Sequence, residues 1–138
     1  MKYPITVSDI MNDIISIEGS TLVEQAAQTM IENKIGSIIV TINGIPEGII
    51  TRQDMLSRVI VAYKDPRVYK TETVMTSPLI SVSEKTSILD SMRFMRSKEV
   101  THLLVEGEEG YVGIISERDI VSAVTLSSLT QFSTLLRQ

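Results

Sequence analysis

Apolar positions along this 138-residue chain change period in the same order twice. Ile14, Ile15 and Ile17 form a short β-branched run of strand length, and Leu79, Ile80 and Val82 form a second. Val23, Ala26, Ala27 and Met30 then recur at i, i+3, i+4 and i+7, with Ile88, Met92 and Met95 on the equivalent stripe. A helix is predicted after each strand, with Thr21 or Thr86 placed to cap it. SIIVTI and HLLVEG follow as nearly continuous apolar runs, the pattern of strands covered on both faces, and each leads to a turn at Asn43-Gly44 or Gly107 to Gly110. A GII strand comes next. Thr51 or Ser116 then opens a second helix, with Met55, Leu56, Val59 and Ile60 expected on one side in the first half and Ile120, Val121 and Val124 in the second. Each half reads β-α-β-β-α.

The repetition extends to residue identity. An offset of 65 turns GIITRQD (residues 48–54) into GIISERD (residues 113–119), and pairs Thr21 with Thr86, Met30 with Met95 and Val40 with Val105. Upstream, Met11 in SDIMND pairs with Met75 in ETVMTS at an offset of 64. Between the halves, YKDPRVYK carries a helix-stopping Asp-Pro and four charges. The predicted organisation is a first repeat over 7–63, a linker over 64–70, a second repeat over 71–126 and a C-terminal helical tail over 127–138. In that tail Leu129, Phe132 and Leu136 fall at i, i+3 and i+7, a stripe that either packs on a second chain or folds back on its own core.

Composition narrows the function classes. With 43% hydrophobic and 22% charged residues, the chain has the make-up of a globular protein large enough to bury a core. Four Tyr, two Phe and no Trp make that core aliphatic. The absence of cysteine excludes disulfides, thiolate nucleophiles and cysteine-based zinc sites, and fits a reducing compartment. The N-terminus lacks the apolar run of a signal peptide, and no stretch approaches the roughly eighteen apolar residues of a membrane span, so a cytoplasmic protein with no membrane contact is expected. A net charge of −4, with Lys and Arg scattered singly, opposes nucleic-acid binding.

The doubled T/S-x-x-D element admits two readings. Thr51 with Asp54, or Ser116 with Asp119, can be a capping pair at a helix start, the carboxylate lying at the positive end of the helix dipole. Aspartate is shorter than the Glu or Gln preferred for the reciprocal bond, which favours another task. That task is a sugar site: a carboxylate held at a helix start can accept two hydrogen bonds from a vicinal diol, and a hydroxyl three residues earlier can bond the same sugar. Gly48 and Gly113 would let such a ligand approach the strand closely.

The doubled GIITRQD and GIISERD elements, the D-I-M and T-V-M lead-ins and the β-α-β-β-α order make residues 7 to about 126 resemble a tandem pair of CBS domains, a Bateman module. The fold implied is α+β (mixed α/β): two pseudo-twofold-related β-α-β-β-α repeats packed through their sheets. The resemblance implies a regulatory module that binds AMP, ADP, ATP or S-adenosylmethionine between the repeats and catalyses nothing. It implies ribose contacts from Thr51 and Asp54 at one site and from Ser116 and Asp119 at the other. Adenine contacts would come from Ile15, Ser16 and Ile35, and from Leu79, Ile80 and Val100. Phosphate contacts would come from Thr101, His102 and Arg118, where the first copy has Gly36, Ser37 and Gln53 and so lacks a cation. Unequal sites are expected, the one around Asp119 being the better. A homodimer acting on an unidentified regulated protein is the implied assembly.

No cofactor, metal site or enzyme activity is expected. His102 is the sole histidine, neither H-E-x-x-H nor C-x-x-C occurs, and the acidic run Glu106 to Gly110 lacks the alternating carboxylates of a calcium loop. Neither a nucleophile with its base nor a phosphate-cradling glycine loop can be named. The competing reading is a constitutive dimerisation or scaffold module without a ligand, in which the T/S-x-x-D elements are only caps.

Overall fold

The computed structural model describes the backbone of residues 6–136 and the side chains of that range except 127 and 129–136. It contains two three-stranded sheets with the same topology. In the first, β1 (Ser16–Glu18) pairs parallel with β2 (Ser37–Ile42), which pairs antiparallel with β3 (Ile45–Thr51). In the second, β4 (Ser81–Ser83), β5 (His102–Gly107) and β6 (Gly110–Ser116) repeat that order. Helices α1 (Val23–Asn33) and α3 (Ile88–Lys98) make the crossovers that parallel neighbours require. The mixed α+β reading and the β-α-β-β-α order hold within each copy.

The predicted helix stripes are buried: Val23, Ala26 and Met30 on α1, and Ile88 and Met95 on α3. Val40 and Ile50 close the first core, Leu103, Val105 and Ile115 the second. Both cores are aliphatic.

The predicted caps are displaced. Helix α3 is capped one residue later than expected, by Ser87, whose hydroxyl accepts from the Asp90 amide at 3.0 Å. Helix α1 starts after Leu22, and Gln25 reaches back to accept from the Leu22 amide at 3.2 Å. Thr21 serves the preceding turn instead, donating to the Glu18 carbonyl at 2.6 Å.

The second helix of each copy also departs from expectation. α2 (Arg52–Asp54) gives way to a π-helical segment, Met55–Ile60, in which the wider turn carries the Val61 amide back to the Leu56 carbonyl at 2.9 Å. Val59 is buried there, while Leu56 and Ile60 face outward rather than sharing its side. In the second copy, α4 (Glu117–Leu136) is α-helical throughout and buries Ile120 and Ala123, leaving Val121 and Val124 exposed. The helix therefore continues into the tail, but the side chains of Leu129, Phe132 and Leu136 lie outside the described residues.

The compact units do not follow the order of the chain. One is Ile14–Leu79; the other joins the stretch ending at Asp13 to the stretch beginning at Ile80. Each lead-in thus packs on the sheet of the other copy. Asn12 exchanges backbone hydrogen bonds with Ile114 on β6 (2.9 and 3.0 Å), and Thr76 does the same with Ile49 on β3 (2.9 and 2.8 Å). Val7 and Val74, each fully buried, anchor these segments in the two cores. Among the described residues no helix is long and apolar enough to cross a membrane.

Candidate functional site

Antiparallel register builds the same corner in each unit. Ser37 at the start of β2 lies opposite Thr51 at the end of β3, and His102 lies opposite Ser116. The chain then turns into a helix, tied down by the Arg52 amide on the Gly36 carbonyl (3.1 Å) or the Glu117 amide on the Thr101 carbonyl (2.8 Å). Parallel pairing brings the start of the neighbouring strand to the same end of the sheet, through Ile39 N–H to the Ile15 carbonyl and Leu104 N–H to the Ile80 carbonyl, both 3.0 Å. In the second unit, Ser116, Asp119, Thr101, His102 and Ile80 are therefore gathered at one sheet end, with Val100 and Arg118 adjacent in the chain. In the first unit Thr51, Asp54, Ile15, Ser16 and Ile35 occupy the equivalent places. Leu79 falls in the first unit rather than the second.

The hydroxyl–carboxylate elements are closed capping boxes. Asp54 Oδ2 accepts from the Thr51 amide at 2.8 Å and its hydroxyl at 3.1 Å, while the Asp54 amide donates to Thr51 Oγ1 at 3.3 Å. Asp119 Oδ2 accepts from the Ser116 amide and hydroxyl, both at 2.8 Å, and its own amide donates to Ser116 Oγ at 3.1 Å. Aspartate is thus long enough for the reciprocal bond, which removes the length argument against capping.

The second carboxylate oxygen separates the copies. Asp54 Oδ1 accepts from the Thr76 hydroxyl at 2.8 Å and lies 3.5 Å from Arg58 Nε, and the residue is only 7% exposed. Arg58 also donates to the Met75 carbonyl at 2.8 Å, so the guanidinium bridges the lead-in and the carboxylate. Asp119 is half-buried; the lead-in reaches it through Asn12 Nδ2, which donates to Oδ2 at 3.0 Å. Among the described residues, Asp119 Oδ1 has no hydrogen-bond or ion-pair partner.

Thr76, Arg58 and Asn12 were not singled out by sequence reasoning. Their signal was present: Asn12 and Thr76 each follow the paired methionines Met11 and Met75, and Arg58 corresponds to Ala123 at the 65-residue offset. Those methionines also overturn the expected role of the paired glycines. A Cβ at Gly48 would meet Met75 Sδ at 2.5 Å and the Thr76 carbonyl oxygen at 3.0 Å, and one at Gly113 would meet Met11 Sδ at 2.6 Å. The glycines admit the lead-in, not a ligand.

Of the expected phosphate residues, Arg118 and Thr101 are exposed, and Thr101 Oγ1 lies 3.0 Å from His102 Nδ1. Among the described residues no three His, Asp or Glu side chains are grouped to hold a metal ion.

Comparison with known proteins agrees with this arrangement. The profile of the family described as CBS domain matches the chain twice, over residues 7–61 and 71–126. The mitochondrial CBS domain-containing protein CBSX3 of Arabidopsis thaliana is 31% identical over 132 residues, covering 86% of this chain and 64% of the plant protein, so the chain spans less than two thirds of that relative. Among solved structures, an uncharacterized conserved protein from Pyrococcus horikoshii is 28% identical with a TM-score of 0.80, covering 90% of this chain and 95% of the other. A protein with CBS domains from Burkholderia ambifaria MC40-6 is 25% identical with a TM-score of 0.81, covering 86% and 93%. With two copies of the family's domain spanning most of its length, the chain belongs to the CBS-domain family as a tandem pair.

Proposed function

We propose that this chain is a cytoplasmic regulatory module that binds an adenosine-containing ligand at the corner around Asp119, works as a homodimer and passes ligand occupancy to a partner protein. The observation that carries the reading is the unclaimed Oδ1 of Asp119, a carboxylate oxygen held in place by a closed network on Oδ2 and able to accept from a ribose hydroxyl. Exposed Arg118 and Thr101, with His102, stand where a phosphate would extend, and Ile80 and Val100 offer an apolar wall to a base. At the Asp54 corner the ribose would have to displace Thr76 and Arg58 from Oδ1, and Gln53 offers no charge in place of Arg118. The Asp119 site is therefore the stronger. Resemblance to a regulatory family supports the absence of catalysis, and occupancy acts on a partner only through different affinities for two states.

The second reading has its own observation: both capping boxes are complete without a ligand, as a scaffold module would need. Thermal unfolding with AMP, ADP, ATP and S-adenosylmethionine, against GMP as control, separates the two. A ligand bound only by the folded state at about 100 times its Kd adds roughly 2.7 kcal/mol, a midpoint rise of several degrees. The rise is expected with an adenosine compound, retained in part by Asp54→Ala and lost in Asp119→Ala. No rise with any adenosine compound at millimolar concentration would leave the scaffold.

A further inference from the structure

The two lead-ins meet the two carboxylate corners in the same register. Asn12 bridges Ile114 on β6 and Thr76 bridges Ile49 on β3, each through a pair of backbone hydrogen bonds of 2.8–3.0 Å. Ile49 and Ile114 correspond at the 65-residue offset, and Asn12 and Thr76 each follow a methionine whose sulfur packs against Gly113 or Gly48. The backbone therefore delivers one side chain to the equivalent place in each unit, and what differs is the chemistry of that side chain.

Threonine is short and ends in a hydroxyl. From Thr76 that hydroxyl donates at 2.8 Å to Asp54 Oδ1, the oxygen left over by the capping box. Asparagine reaches one atom further. From Asn12 its Nδ2 donates at 3.0 Å to Asp119 Oδ2, which already accepts from the Ser116 amide and hydroxyl. Three donors on one oxygen fix the rotation of the carboxylate and hold its other oxygen in place as an acceptor. Arg58, 3.5 Å from Asp54 Oδ1, corresponds to Ala123, whose methyl group has no polar proton to donate.

We propose that the residue after each paired methionine selects which corner takes a ligand. Asn12 is a positioning residue that keeps Asp119 Oδ1 available to a sugar hydroxyl, and Thr76, backed by Arg58, is an internal stopper on the same acceptor of Asp54. The stopper is itself a hydroxyl donating to a carboxylate oxygen, the bond that a sugar hydroxyl would make, so it competes with a ligand by like chemistry. The inference rests on the adenosine-ligand reading above. It adds to that reading the residues that decide between the corners at the sugar end, as Arg118 and Gln53 distinguish them at the phosphate end.

Calorimetric titration of the full chain with AMP, ATP and S-adenosylmethionine in turn, with unfolding midpoints recorded beside it, tests the assignment by affinity and stoichiometry. Asn12→Thr brings a hydroxyl to Asp119 Oδ1 and should raise the Kd by about tenfold or more, the cost of displacing a hydrogen bond to a charged group. Asn12→Ala removes the pin without supplying a competitor and should raise it less. A merely structural Asn12 would suffer more from alanine than from threonine. In the first unit, Thr76→Asn combined with Arg58→Ala should add a second bound equivalent that survives Asp119→Ala. Asn12 is exposed, so its two variants carry the test even if the double variant at the buried corner unfolds. Binding that Asp119→Ala abolishes, but that Asn12→Thr weakens no more than Asn12→Ala does, would overturn the selector and leave the ligand reading intact. A folded double variant that gains no second equivalent would overturn the role given to Thr76. No binding of any of these compounds by the wild type would remove the ligand reading, and the inference with it.

Discussion

Asp54 and Asp119 occupy the same turn of the same repeat, yet one is locked and the other half open. Both cap their own helix through Oδ2 with almost identical geometry. The difference lies in what the lead-in delivers. Thr76 and Arg58 occupy Oδ1 of Asp54, whereas Asn12 joins the network already on Oδ2 of Asp119 and leaves Oδ1 unengaged. A duplicated element thus supports two balances between stability and binding: a carboxylate with every lone pair committed holds the fold, and one with an oxygen to spare can hold a ligand.

The largest expected break in this symmetry is in stability. Asp54→Ala removes a nearly buried charge with four donors around it, so urea unfolding should show a loss of about 2–4 kcal/mol. Asp119→Ala removes a half-exposed capping carboxylate and should cost about 1–2 kcal/mol without ligand. Equal losses would mean that Thr76 and Arg58 contribute nothing, and the structural half of the comparison would fall.

The paired glycines sharpen the contrast at a smaller scale. At Gly48 an added methyl meets Met75 and also the Thr76 backbone carbonyl, which cannot move without disturbing the Ile49–Thr76 bridge. At Gly113 the three nearest atoms all belong to the flexible Met11 side chain. Gly48→Ala should therefore cost roughly 1–3 kcal/mol and Gly113→Ala less, since a methionine can repack where a carbonyl cannot. Chemical denaturation that ranks them the other way would show that the lead-in is held less firmly in the first unit.

What could be read from the chain follows from what local pattern encodes. The repeat, its strands and the buried stripes of α1 and α3 are visible because Val23, Ala26 and Met30 signal a helix through spacing alone. The T/S-x-x-D corner was legible as well, since its residues lie three apart. The closing of Gly48 and Gly113 was not, because the methionines that fill them come from segments distant in sequence. Nor could the π-helical turn at Met55–Ile60 be foreseen: the residues suit an ordinary helix, and the equivalent stretch of the second copy is one. The inequality of the two carboxylates was half legible. Arg58 against Ala123 is printed in the sequence, but its meaning depends on the lead-in crossing to the other copy's sheet.

The smallest expected effect concerns the hairpins, where the copies exchange roles. Glu18 on β1 accepts from the Thr41 hydroxyl at 2.5 Å and from the amides of Asn43 (2.6 Å) and Gly44 (3.3 Å) at the β2–β3 turn. The Thr41 hydroxyl first, then the Asn43 amide, hold its carboxyl below the ordinary glutamate value of 4.5, against a smaller opposing effect of burial. The offset places Ser83 at the position of Glu18 and Glu106 at that of Thr41, so the second hairpin lacks this clamp. A carboxyl whose folded pKa is depressed stabilises the fold above its unfolded pKa and loses that contribution as pH falls through the folded value. Acidification from neutrality to below 4.5 should therefore speed hydrogen exchange at the Asn43 and Gly44 amides beyond the intrinsic pH trend, with no matching change at Glu108 and Glu109. Glu18→Gln should flatten that response. If both turns loosened together in acid, the cause would be general charging of the protein and not the single carboxylate that distinguishes the first hairpin from the second.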